Sequence, residues 1–150
     1  MDNQTKLSTE EILEELEHGN VIDLNTIDFI AEASEHLNNL ACDIIKCYGS
    51  YSKFAVESDI SSSHLNEFLN GKKQLSRDKL ICICVTLKYD IKKTRHILRC
   101  IGKTDLYCKN RRDFEILNCL QQGKSLDEIN EILQKNGLNA LPDKKSTESR

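Results

Sequence analysis

The chain has 150 residues, 39% of them hydrophobic and 30% charged, with one proline, no tryptophan and a formal net charge of −3. That length suits one domain with a sizeable core. No apolar run approaches the roughly 18–20 residues that cross a bilayer, and the acidic N-terminal segment does not resemble a signal peptide, so we expect a cytoplasmic protein without membrane contact.

The apolar residues recur mainly at helical spacing, which predicts an all-α protein, a compact bundle of helices. We expect a single all-helical domain over residues 1–141. The segment that follows Leu141 has no apolar side chain after its proline, which predicts a disordered tail over residues 142–150.

Two helices are predicted before residue 50. Ser8 with Glu11 forms a capping-box pattern that begins the first helix, and Gly19 ends it. A connector follows over residues 21–27. Apolar positions between residues 27 and 45 then predict a long amphipathic helix that ends at residues 48–50.

The most informative segment is residues 53–73, which predicts two short helices, 51–58 and 61–70, across a tight turn near residues 58–59. Leu65, Phe68 and Leu69 share one face of the second helix, at i, i+3 and i+4. Serines at 61–63 suit the entry of this helix, and Gly71 suits its end. Two short helices whose second member begins with small polar side chains are typical of a DNA-binding helix-turn-helix.

Four further helices are predicted after residue 75. Ser76 caps one whose segment 80–87 is apolar on all sides, which favours a central core helix over the alternative of a buried strand. The next begins at Asp90 and stops at Gly102, before a loop over residues 104–107. A helix over 110–122 is expected to bury residues Phe114, Ile116, Leu117 and Leu120. The last begins with a capping box at Ser125 and stops at Gly137.

The seven cysteines do not form a disulfide or zinc pattern, because their number is odd and no paired ligand spacing occurs. We expect most of them to be buried thiols, with Cys82 or Cys84 inaccessible and Cys108 exposed. The histidines, His18, His36, His64 and His96, are scattered and form no catalytic or metal-binding motif. We therefore expect no enzyme activity, no cofactor and no metal.

Charge is segregated along the chain. Residues 1–60 carry 3 Lys/Arg and 13 Asp/Glu, whereas residues 61–112 carry 13 and 4. A basic surface over residues 72–112 would attract a polyanion. Within it, the triplet at residues 111–113 is interpreted as a salt-bridged helix start, or as an anchor that holds the C-terminal helices to the core.

The segment ISSSHLNEFLNGKKQLSRDKL resembles the second helix and following turn of the Cro/CI-type (XRE-like) helix-turn-helix family of bacterial and phage regulators. Residues 99–141, with LYCKNRRD and SLDEIN, resemble a C-terminal extension on some Firmicutes-type members. The resemblance implies a helix-turn-helix core over about 28–101 and a helical extension over about 102–141.

The resemblance also implies the functional residues. Its base-contacting positions fall on Ser61, Ser62, Ser63 and Glu67. Its phosphate-contacting positions fall on Tyr51, Ser52, Asn70, Lys72 and Lys73. Because serine side chains are short, we expect base contacts that are short or water-mediated.

Two functional interpretations follow. The first is a DNA-binding transcriptional regulator whose helix 61–70 enters the major groove of double-stranded DNA, acting as a homodimer as such proteins usually do. The second is a non-enzymatic interaction or adaptor module that retains the fold and binds a protein partner through the basic face 72–112.

Overall fold

The computed structural model describes residues 8–21 and 29–142. Within these ranges the chain forms eight α-helices and no β-strand, which confirms the predicted all-α class. The chain divides into an N-terminal unit, residues 1–35, and a larger unit, residues 36–150. The extent of a single domain over residues 1–141 stays a prediction.

The N-terminal unit contains α1 (Thr9–Glu17) and the first part of α2 (Phe29–Tyr48). The predicted capping box is confirmed: the Ser8 amide donates to Glu11 Oε1 at 2.9 Å, and the Glu11 amide donates to Ser8 Oγ at 3.2 Å. The hydrogen bond from the Ser8 backbone lowers the pKa of Glu11. The predicted connector, residues 21–27, lies almost entirely outside the described residues.

In the larger unit α2 is followed by α3 (Tyr51–Ser58) and α4 (Ser62–Leu69), as the spacing predicts. Each short helix begins with a serine cap, because Ser50 Oγ accepts from the Lys53 amide and Ser61 Oγ accepts from the His64 amide. The turn between them, residues 59–61, passes through Asp59 in the left-handed region at φ 60°. Gly71 ends the second helix at φ 76°, also as predicted.

Helix α5 (Arg77–Thr86) is the centre of the core. Every residue from Leu80 to Leu87 is buried, and α3, α6 and α8 pack against it. The prediction of a central helix is therefore confirmed, and the alternative of a buried strand is wrong. A helix without a polar face needs neighbours on several sides, and the bundle provides them.

The remaining helices are α6 (Ile91–Cys100), α7 (Arg111–Gln122) and α8 (Leu126–Lys135). The predicted caps at Asp90 and Ser125 are confirmed, since each side chain accepts from a first-turn amide. The Asn110 side chain caps α7 in the same way, which the sequence did not predict. Leu141 and Pro142 are buried, so the predicted disordered tail does not begin at Pro142. Its other residues, 143–150, lie outside the described part of the chain.

Two burial predictions are wrong. Phe114 is 51% exposed, because Asp113 takes the neighbouring inward position on α7. The expectation that most cysteines are buried also fails, although Cys82 and Cys84 are fully buried and Cys108 is exposed, as predicted. The seven thiols divide into three buried (Cys82, Cys84, Cys119), one half-buried (Cys100) and three exposed (Cys42, Cys47, Cys108).

Two reciprocal ion pairs hold the first turn of α7 against the first turn of α5. Arg77 Nη2 lies 2.9 Å from Asp113 Oδ2, and Arg112 Nη2 lies 2.8 Å from Asp78 Oδ2. Both aspartates are buried, and a second Arg112 nitrogen donates to Asp78 Oδ1 at 3.1 Å. Of the two interpretations of the triplet at residues 111–113, this geometry supports an anchor for the C-terminal helices.

The same arginines also bind backbone carbonyls. Arg112 donates to the carbonyl oxygens of Asn139 and Ala140, beyond the end of α8. Arg77 donates to the carbonyl oxygens of Thr104 and Asp105, in the loop before α7. Each guanidinium therefore joins a buried carboxylate to a segment without regular structure, which uses several of its donors at once.

Asp105 fixes the loop between α6 and α7. Its carboxylate accepts from Arg95 Nη2 at 2.9 Å and Arg99 Nη1 at 3.3 Å, and from the Leu106 amide at 2.7 Å. The Arg95 guanidinium holds the pKa of Asp105 below its ordinary value. A depressed pKa stabilises the folded state above the ordinary value, and this contribution is lost as pH falls through the folded-state pKa.

We expect Arg112→Ala to lower the free energy of unfolding by about 3 kcal/mol, because it removes the guanidinium that pairs with the buried Asp78 carboxylate. Arg111→Ala is the matched control, since Arg111 is exposed on the same turn and its loss should cost less than about 0.5 kcal/mol. Urea unfolding followed by circular dichroism measures both. Equal effects of the two substitutions would contradict the anchoring role.

Thiol alkylation of the native protein should separate the cysteines by burial. Cys42, Cys47 and Cys108 should react within the first phase, whereas Cys82 and Cys84 should react only on unfolding. Burial raises the pKa of Cys84 to about 12, which also suppresses its thiolate at neutral pH. Mass spectrometry of timed samples measures the order, and early labelling of Cys84 would contradict the buried position of α5.

Candidate nucleic-acid interface

The first turn of α4 presents the three predicted base-contacting serines. Ser61, Ser62 and Ser63 are all exposed. Ser61 also caps the helix, its Oγ lying 3.2 Å from the His64 amide nitrogen that donates to it. Its hydroxyl hydrogen can still donate to a ligand, so the cap does not exclude a contact with a base or a bridging water.

The opposite face of α4 is buried, as its spacing predicts. Leu65 is 0% exposed, and Phe68 and Leu69 are also in the core. Because these three side chains point inward, the helix cannot rotate without exposing them. The serines are therefore held outward by the packing of the same helix.

Glu67, the fourth predicted base-contacting residue, has a side chain that is 40% exposed. Its Oε1 lies 3.8 Å from Lys73 Nζ, and its carbonyl oxygen accepts from the Lys72 amide. Lys73 thus partly compensates the negative charge that would repel a phosphate. The structure brings Glu67 and Lys73 together at the end of α4.

Four of the five predicted phosphate-contacting residues are exposed: Ser52, Asn70, Lys72 and Lys73. The fifth, Tyr51, is half-buried and packs against the core. The Asn70 side-chain amide donates to Asn66 Oδ1 at 3.3 Å, which orients it at the C-terminal end of α4.

Helices α3 and α4 differ electrostatically from most others in the described chain. Neither has an acidic residue in its first turn, whereas α1, α5, α7 and α8 each have one or two. An N-terminus carries partial positive charge from unpaired amides, and an acidic side chain there would oppose an approaching anion. In the two helices with predicted DNA contacts, no acidic side chain of the first turn offsets the partial positive charge of the N-terminus.

A contact that the sequence did not predict places a lysine beside the first turn of α4. His64 Nδ1 lies 3.3 Å from Lys79 Nζ of α5, and His64 Nε2 lies 3.4 Å from the Gln74 carbonyl oxygen. The imidazole therefore links α4, the following loop and α5. No periodic pattern signals this contact, because it depends on the path of residues 70–76 back toward the start of α4.

The basic block over residues 72–112 is only partly available to an external anion. Four of its arginines are engaged in ion pairs with aspartates inside the larger unit: Arg77, Arg95, Arg99 and Arg112. Lys93 lies 3.7 Å from Asp43 and 4.2 Å from the centre of the Tyr89 ring. The number of Lys and Arg residues in the sequence therefore overestimates the basic surface, because several of these residues form ion pairs with aspartates of the same chain.

A group of possible metal ligands lies on α2 and α6, which carry none of the predicted interface residues. His36 of α2 and His96 and Cys100 of α6 have donor atoms within 4.8 Å of one another. No local sequence pattern reveals the whole group, because His36 is far from the other two residues along the chain. The His96 and Cys100 spacing of i, i+4 was a visible signal, since it places both on one helix face.

A cleft between α2, α3, α5 and α8 is small. It has a volume of about 100 Å³, below the roughly 300–1,000 Å³ of most small-molecule sites. Its lining includes Tyr48, Glu57 and Lys88, which do not form a nucleophile–base pair. The expectation that the protein is not an enzyme stays a prediction.

Among the described helices, none combines the length and apolar character that a membrane span requires. No family model, curated protein or solved structure matches this chain. The resemblance to Cro/CI-type regulators therefore stays a prediction that rests on the quoted segments.

Substitutions on the two faces of α4 should have opposite consequences. Leu65→Ala should destabilise the protein by about 2–5 kcal/mol, because it removes a fully buried side chain. Ser62→Ala should change stability by less than about 0.5 kcal/mol, because that side chain is exposed. Thermal unfolding measures both, and a large loss in Ser62→Ala would mean that α4 packs through a different face.

Proposed function

We propose that this protein is a DNA-binding regulator that inserts the first turn of α4 into the major groove of double-stranded DNA. The observation that carries the proposal is the arrangement of α4. Its apolar face is buried while Ser61, Ser62 and Ser63 are exposed at an N-terminus without acidic residues. A short, small-residue helix end can approach base edges closely, because no long side chain stands in the way.

Base contacts would come from hydroxyls and a carboxylate. The serine hydroxyls can donate or accept, directly or through water, and Glu67 can accept from the amino group of cytosine. Because serines contact several bases, we expect modest discrimination at their positions. We expect Glu67 to discriminate most strongly, favouring cytosine over the other bases by about 1–3 kcal/mol of binding free energy.

Phosphate contacts would position the helix. Ser52 and Asn70 present neutral polar groups, and Lys72, Lys73 and Lys79 present positive charge near the two ends of α4. Such contacts fix orientation and supply most of the non-specific affinity, without selecting sequence.

Selection of bound duplexes from a random DNA pool tests the function directly. Enrichment of one motif supports the proposal, and a palindromic motif would add support for a homodimer on a two-fold site. Glu67→Gln should then relax the preference for cytosine at one position, whereas Glu131→Gln, an exposed change on α8, should not. Absence of any enriched motif at low salt would contradict sequence-specific binding.

The phosphate role predicts a steep salt dependence. The double substitution Lys72→Ala and Lys73→Ala should weaken binding to all duplexes about equally and reduce the slope of log K against log salt by roughly 2. The matched control, Lys124→Ala with Lys135→Ala, removes the same charge from the two ends of α8 and should leave the slope unchanged. Fluorescence anisotropy at several salt concentrations measures both, and equal slopes in the two variants would exclude Lys72 and Lys73.

The second candidate is an adaptor that binds a protein partner through the basic face 72–112. One observation favours it: the internal ion pairs of Arg77, Arg95, Arg99 and Arg112 leave fewer charges for phosphates than the sequence suggests. An adaptor would show no enriched duplex, and its affinity for random DNA would be weak at physiological salt. The duplex selection therefore separates the two candidates.

A further inference from the structure

Three potential metal ligands meet between α2 and α6 of the larger unit. His36 is on α2, and His96 and Cys100 are on α6. One ring nitrogen of each histidine and the cysteine sulfur all lie within 4.8 Å of one another. Among the described residues, no other three His, Cys, Asp or Glu donors come this close together.

The two ligands on α6 already have the separation that a metal ion requires. They are spaced i, i+4, which stacks them on one face. His96 Nε2 lies 3.4 Å from Cys100 Sγ. Bond lengths of about 2.0–2.1 Å to nitrogen and about 2.3 Å to sulfur place such atoms about 3.5 Å apart around a tetrahedral zinc ion. His96 Nδ1 lies 3.8 Å from the same sulfur, so Sγ lies beside the ring and the imidazole must turn before Nε2 points at an ion shared with Sγ.

The third ligand approaches from α2. The His36 and His96 rings meet edge to face, with centroids 5.8 Å apart and planes at 75°. Bringing donors that lie up to 4.8 Å apart to a tetrahedral edge of about 3.3–3.5 Å requires about 1.3–1.5 Å of movement. His96 is exposed and the other two side chains are half-buried, so rotation of the imidazoles can supply this movement.

The pairing of α2 with α6 is fixed by other contacts. Asp43 lies two turns beyond His36 on α2, and its carboxylate is 3.7 Å from Lys93 Nζ in the first turn of α6. Tyr89, just before α6, donates a hydrogen bond to the same carboxylate. Because Asp43 meets the start of α6 and His36 meets its end, the helices run antiparallel here. The three ligands are thus aligned by contacts that require no metal.

We propose that His36, His96 and Cys100 form a zinc-binding site that joins α2 to α6. Two imidazole nitrogens and one thiolate suit a borderline divalent ion, and three protein ligands leave the fourth position for water or an exchangeable ligand. On binding, the Cys100 thiol gives its proton to solvent, and each imidazole coordinates as the neutral ring. The site uses none of the proposed DNA-contacting residues, and it replaces the expectation from the sequence that the protein binds no metal.

Cobalt titration of the full-length, reduced and metal-free protein tests the site. One equivalent of Co²⁺ should produce the visible bands of tetrahedral cobalt and a near-ultraviolet band from sulfur-to-cobalt charge transfer. Added Zn²⁺ should abolish both, because the zinc d shell is filled. Cys100→Ser should lose the charge-transfer band, and His36→Gln or His96→Gln should weaken zinc binding in calorimetry by at least about tenfold.

Two control variants keep the same residue types at other places. Cys108→Ser removes an exposed thiol and His18→Gln removes an exposed imidazole, and neither should change the titration. Circular dichroism checks that every variant keeps its helical content. If a ligand variant does not fold, alkylation of the wild-type protein still tests the zinc site, because bound Zn²⁺ should protect Cys100 and leave Cys108 reactive.

The proposal fails if wild-type protein shows neither a charge-transfer band nor protection of Cys100. It also fails if His36→Gln and Cys100→Ser bind Zn²⁺ as tightly as the wild type, since the zinc would then be bound elsewhere.

Discussion

The reciprocal ion pairs between the first turns of α5 and α7 are the constraint on which the C-terminal half depends. Each turn contributes an adjacent arginine and aspartate, so that Arg77 pairs with Asp113 while Arg112 pairs with Asp78. Consecutive residues on a helix point in different directions, so both pairs form only when the two helix ends face each other in one orientation. Removing either arginine takes the cationic partner away from a buried carboxylate, which costs far more than an exposed pair contributes.

This constraint changes how the charge of the protein should be interpreted. The arginines of the basic block mostly stabilise the tertiary structure, because they bind aspartates and loop carbonyls of the larger unit. The charges left for a partner are mainly lysines, Lys72 and Lys73 among them. Arginine suits fixed, bidentate contacts inside a protein, whereas lysine suits solvated contacts with phosphate. The residue types thus agree with a division between internal anchoring and an external surface.

The proposed interface and the proposed zinc site lie on different helices. The interface depends on α3 and α4, and the zinc ligands lie on α2 and α6. Both pairs of helices contribute buried side chains to one hydrophobic core, which also contains α5. A metal that joins α2 to α6 would therefore stabilise the same core that supports α4, whatever partner α4 binds.

The sequence by itself determined the helices, their caps and the inward face of α4, because these depend on neighbours within a few residues. Capping at Ser8 and Ser125, the left-handed Gly71 and the buried Leu65 all follow from local spacing. Only the tertiary structure decided which charges pair and which donors meet. The inward Asp113 beside an exposed Phe114, and the approach of His36 to α6, depend on how helices far apart in the chain pack, and no local pattern encodes that packing.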